Sequence, residues 1–179
     1  MKLTPISKPL TLFGEGFPTG VVAAPVGSIY TDVFATNGAI RWIKTAGTGT
    51  GGWSVMSGTT GWRRLHSPTV PTEWGEILFQ IDAIREENNV TMNFTAYRPG
   101  GDNGTRRVLT VPSGFRTDKA LFSVPLLDRD NRPAVNYFDI SVTGEMTMQH
   151  LPTSTGRHYG SISWRCSSAW PIVLPGTPV

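Results

Sequence analysis

Asn37-Gly38 is the pair that most limits what this chain can become. A two-residue type I′ turn needs positive φ at both central positions, and Asn-Gly meets that need at little steric cost. The pair sits inside residues 25–65, PVGSIYTDVFATNGAIRWIKTAGTGTGGWSVMSGTTGWRRL, whose apolar residues alternate as they do in strands. A turn there predicts Ala35 opposite Ile40, Val33 opposite Trp42 and Thr31 opposite Lys44. A ribbon so rich in glycine is too thin to bury its own face. Ile40, Trp42, Trp53 and Trp62 are therefore expected at an interface with copies of the chain or with a neighbouring protein.

The rest of the chain is punctuated in the same way. Twenty glycines and fourteen prolines in 179 residues leave room only for short elements. No window keeps apolar residues at helical spacing beyond about two turns. The expected class is all-β. Residues 1–24, with Pro5, Pro9 and Pro18 among three glycines, read as an extended N-terminal arm. Residues 25–65 form a small β shoulder. Pro68 and Pro71 break any ladder and mark a linker over 66–73. Residues 74–179 then show strand patterns at the spacing of an antiparallel β-sandwich of about eight strands.

Parity fixes two hairpins in that second part. Strands over 74–85 and 90–98, joined through Glu86-Glu87-Asn88-Asn89, put Ile81 opposite Phe94. A three-residue loop Val142-Thr143-Gly144, with Gly144 left-handed, puts Ile140 opposite Met146. Further strands are expected over 106–112, 119–127, 133–141, 145–151, 159–166 and 171–175. The expected core is Phe79, Ile81, Met92, Phe94, Phe138, Ile140, Met146 and Met148.

Several chemistries find no support. Gly47-x-Gly49-x-x-Gly52 has the dinucleotide spacing, but strand-like Trp53-Ser54-Val55-Met56 follows where a helix must open. No cofactor is expected. Three histidines lack metal-box spacing, although one histidine per chain could hold an ion on a symmetry axis. Ser154 lacks the surroundings of a nucleophile elbow. The acidic residues fall mainly in turns, where turn preference accounts for them. A net charge of +3 with scattered basic residues does not build a nucleic-acid face. No apolar run is long enough to cross a membrane, and Met1-Lys2 is not followed by a signal-peptide core. Cys166 is the only cysteine, which fits synthesis in a reducing cytoplasm.

The order of motifs carries a resemblance. The segment PxGSxYTD, TNGAIRWxKT, GTGxxGWxV, GxTGWR over 25–65 resembles minor tail proteins of tailed bacteriophages, especially those infecting Gram-positive and actinobacterial hosts. Val111–Asp118 (VPSGFRTD), Phe138–Met146 (FDISVTGEM) and Ser161–Pro171 (SISWRCSSAWP) are similar to motifs of their head domains. The resemblance implies a virion protein made in the host cytoplasm, assembled as a homotrimer at the tail tip or baseplate. Its arm would dock on other tail proteins and its head would adhere to a host cell-wall saccharide without catalysis. A structural adaptor that binds no receptor is the alternative, and a polysaccharide-degrading enzyme the third reading.

If every connection in the sandwich reverses direction, loops 86–89, 113–118, 142–144 and 167–170 gather at one end. Loops 99–105, 128–132 and 152–158 gather at the other. The first set offers Asn88, Arg116, Asp118, Ser167, Ser168 and Trp170 as candidate saccharide ligands. An aromatic ring among short polar groups suits a sugar, whose C–H face stacks while its hydroxyls accept and donate hydrogen bonds.

Overall fold

The computed structural model describes residues 8–65, 78–98, 104–127, 133–150 and 156–179. The expected 66–73 linker and most of the second loop set lie outside them. The chain divides into two units, Met1–Thr60 and Gly61–Val179. The division therefore precedes the proline pair, and Gly61–Leu65 belong with the second unit.

In the first unit β1 (Thr11–Gly14), β2 (Ile29–Asp32), β3 (Ala39–Lys44) and β4 (Trp53–Gly58) form a sheet in that order. The Asn-Gly turn forms, but not as a two-residue hairpin. Asn37 and Gly38 do take positive φ, at 50° and 78°. Strand β2, however, ends at Asp32, and Trp42 faces Tyr30 instead of Val33. Asp32 ends it: its carboxylate accepts the N–H groups of Gly16, Phe34 and Thr36, drawing the chain into a six-residue connection, Val33–Gly38. The offset of three residues exchanges the two faces of β2.

A second correction concerns the arm. Residues 11–14 are not a free extension but an edge strand, paired parallel to β2 from Thr11↔Ile29 to Gly14↔Asp32. The chain after it covers the ribbon. Phe17 packs on Trp42 with ring centroids 5.2 Å apart. The Val22 carbonyl accepts the Trp53 indole N–H at 2.9 Å. Trp42 and Trp53 are thus only 3% and 7% exposed within one chain, so neither is left for an interface. Ile40 does face outward, and the half-exposed Trp62 belongs to the second unit.

The second unit contains β5 (Arg63–Arg64), β6 (Leu78–Glu86), β7 (Asn89–Arg98), β8 (Gly104–Thr110), β9 (Leu121–Leu127), β10 (Pro133–Ile140), β11 (Glu145–His150), β12 (Gly156–Arg165) and β13 (Thr177–Pro178). The pairing order is β13-β5-β6-β7-β12-β9-β10-β11-β8. It folds into two antiparallel layers, joined where β12 meets β9 at Tyr159↔Leu127. Both expected registers are present, Ile81↔Phe94 and Ile140↔Met146, and Gly144 has φ 87°. The first hairpin closes one pair tighter, at Glu86↔Asn89, with Glu87 at φ 53°.

The inward sets of the two layers meet in one core of Ile81, Met92, Phe94, Phe138, Ile140, Met146 and Met148, capped by Phe115 and Trp164. Phe94 meets Phe138 edge to face at 4.6 Å. Its ring lies across Gly160, its partner on β12, where any side chain would collide with it. The side chain of Phe79, the eighth expected core member, is outside the description. Residues 171–175 do not form the expected strand. Pro171 and Pro175 lack the N–H that a ladder requires, and the pairing falls instead to two residues further on, Thr177↔Arg64 and Pro178↔Arg63.

Candidate functional site

The alternation of β6 brings an unexpected residue inward. Ile81 and Ala83 point into the core, and the next inward position is Arg85, 2% exposed. Its guanidinium donates Nε to Glu87 O at 2.9 Å, Nη1 to Gly114 O at 2.7 Å and Ala169 O at 3.1 Å, and Nη2 to Ser168 O at 2.9 Å. Its carbon lies 5.0 Å from the centroid of the Trp170 ring. Burial pulls the Arg85 pKa below the usual arginine value, against the opposing charge of Asp118. An arginine still keeps its proton, so a cation is fixed where three loops meet.

Around that cation the end of the sandwich is tied together. Cys166 N–H donates to Asn88 O at 2.8 Å, closing the β6–β7 turn onto the end of β12. The Trp164 indole N–H donates to Phe115 O at 2.9 Å, and the Cys166 thiol sits 3.4 Å from Gly114 O. Asp118 Oδ1 accepts both the N–H and the hydroxyl of Ser167, at 2.8 and 2.7 Å. Those two bonds, helped by the charges of Arg165 and Arg85, hold the Asp118 carboxyl below the ordinary carboxylate range. Val111 ties two more loops in: its N–H donates to Gly144 O at 2.8 Å, and its carbonyl accepts from Arg116 Nε at 3.0 Å.

Between these loops lies an open cleft of about 560 Å³, within the range of small-ligand sites. Its floor and walls come from Pro112–Gly114, Arg116, Thr117 and Ser168–Trp170, and its rim from Val142, Ile172 and Val173. Ile172 and Val173 are 78% and 80% exposed. Thr117 is held by its own hydroxyl, which donates to Lys119 O at 2.5 Å.

The six candidate ligands separate here. Arg116, Ser168 and Trp170 line the cleft; Asn88, Asp118 and Ser167 do not, being spent on fastening the loops beneath and beside it. Trp170 also does not present the expected stacking platform. It is 4% exposed, because the buried guanidinium of Arg85 holds its ring inside the end of the sandwich. Sequence reasoning missed Arg85 itself, Ser113, Thr117 and the aliphatic rim. A signal for Arg85 existed, since it continues the in-phase series Phe79, Ile81, Ala83 on one face of a strand. Among the described residues no group of three His, Cys, Asp or Glu side chains is placed to hold a metal ion. Comparison of the chain with known proteins found no matching family model, no matching curated protein and no matching solved structure.

Proposed function

We propose that the chain is a minor tail protein of a tailed bacteriophage, acting at the tail tip as a non-catalytic receptor-binding protein for a host cell-surface saccharide. One observation carries the reading. The three head-like motifs, Val111–Asp118, Phe138–Met146 and Ser161–Pro171, lie far apart in the sequence and converge on a single cleft at one end of the sandwich. Loops gathered on a rigid β scaffold are where binding surfaces are commonly built. In this proposal the protein works as a homotrimer in the virion, and the first unit meets the other tail proteins.

A second reading, a structural adaptor without receptor binding, has its own support. The first unit turns Phe13, Val21, Val33 and Phe34 outward, an apolar content suited to protein contacts. Pull-down of the full chain on Gram-positive cell walls separates the two. The adhesive reading expects saturable binding that Ser113→Trp, which fills the cleft, abolishes without changing the melt. Binding to tail proteins but to no cell wall would leave the adaptor. Release of reducing sugar would instead establish an enzyme.

A further inference from the structure

We propose that the cleft is an oxyanion site, in which the Arg116 guanidinium takes a phosphate or carboxylate group carried on a surface glycan polymer. The inference rests on the adhesive reading above and names the chemistry of its ligand. Among the described residues that line the cleft, Arg116 is the only charged one. Its Nε is tied to Val111 O, which orients the planar group, while its terminal nitrogens have no partner among the described residues. An arginine fixed by one nitrogen and open at the others is prepared for a forked contact with an oxyanion.

The wall behind the lining reinforces that sign. Arg85 bonds the carbonyls of Gly114, Ser168 and Ala169, all lining residues, so its charge stands one residue layer from the cleft. Asp118 is the acid that faces this cluster, and it is already engaged by Ser167. The described lining also lacks the exposed aromatic face that a neutral sugar ring uses most. Among the described lining residues the one aromatic, Trp170, is buried, and the exposed apolar groups are aliphatic, Val142, Ile172 and Val173. Those groups suit the C–H surface of a polyol or sugar, and the guanidinium suits the charge between units. Ser113 and Thr117 add short polar groups for hydroxyls.

The test titrates the full chain with polyglycerol phosphate, polygalacturonate and neutral dextran at low and high salt. One or both polyanions should bind, more weakly as salt rises, and which of them binds tells phosphate from carboxylate. Arg116→Gln should weaken binding roughly tenfold or more, Arg116→Lys should restore part of it, and Lys8→Gln, the same charge loss elsewhere, should change nothing. Dextran binding as well as the polyanions, or Arg116→Gln binding like the parent, would overturn the oxyanion site. If cell walls still capture the protein in that case, the adhesive reading stands without it. If neither walls nor polymers bind, both readings fall.

Discussion

Among the described residues each unit buries one lysine or arginine against backbone carbonyls and a tryptophan, and the two do different jobs. In the first unit Lys44, 1% exposed, donates to Gly49 O and Gly51 O with Nζ 5.5 Å from the Trp53 ring centroid. Its partners lie five and seven residues away, so the ammonium gathers one loop around itself. In the second unit the Arg85 partners on the other loops lie 29 to 84 residues away. A compact ammonium is a point to wrap around; a planar guanidinium is a bracket with several arms. The Gly/Thr run 47–52 is thereby the loop that closes around Lys44. Gly52, at φ 73°, would place any side chain 2.2 Å from Ala46 O, so that loop closes only around glycine.

The comparison breaks most visibly at Arg85. Arg85→Met fits the volume but leaves carbonyls of three loops without their donor. With partial hydration of the loops, the loss should be about 3–5 kcal/mol. Arg85→Lys restores the charge but has one nitrogen for carbonyls spread over three loops, so it should recover less than half. Urea unfolding of the second unit checks both. If lysine restores full stability, the bracket geometry is irrelevant and only the charge matters.

Lys44→Met should cost less, about 1–3 kcal/mol, because the Gly49 and Gly51 carbonyls lie in an exposed loop that water can reach. Here the informative exchange is Lys44→Arg. A fork has no second set of carbonyls to meet in one tight loop, so it should stabilise no better than methionine. Amide hydrogen exchange at Thr45 and Ala46, which donate to Gly52 O, reports on the loop directly. Unchanged protection in Lys44→Met would separate the loop from its cation.

What the sequence made legible follows the same line between local and distant causes. Ile81↔Phe94 and Ile140↔Met146 could be read because strand alternation and loop parity determine each other over a few residues. The convergence of the 86–89, 113–118, 142–144 and 167–170 loops followed from counting reversals. The register at Trp42 could not be read from Asn37-Gly38, because the residue that ends β2 is Asp32, through bonds to Gly16 and Thr36. The role of Trp170 was also hidden. Its sequence neighbours are Ala169 and Pro171, and the guanidinium that draws it inward lies 85 residues earlier in the chain. Side chains that bind distant backbone decide these features, and no local pattern announces them.

The remaining effect, no larger than that of Lys44, is the one with a pH dependence. Asp32 is the anionic counterpart of the two cations, 1% exposed and satisfied by backbone N–H groups. Burial pushes its carboxyl up, but the hydrogen bonds from Thr36, Phe34 and Gly16 outweigh it and hold the pKa below the ordinary aspartate value of 3.8. A depressed folded pKa means that the unfolded chain binds more protons in the acid range, so stability rises with pH there. Asp32 therefore contributes fully above the unfolded value, near 4, and loses its contribution as pH falls through the folded value. Asp82 and Asp118 shift in the same direction within the second unit, so a global melt would blend the three. Hydrogen exchange at the Gly16, Phe34 and Thr36 amides reads Asp32 alone. Their protection should fall between about pH 4 and the folded pKa in the parent. In Asp32→Asn it should already be low at neutral pH, by about 1–3 kcal/mol, and flat on acidification. The same acid slope in both proteins would remove Asp32 as the group that ends β2.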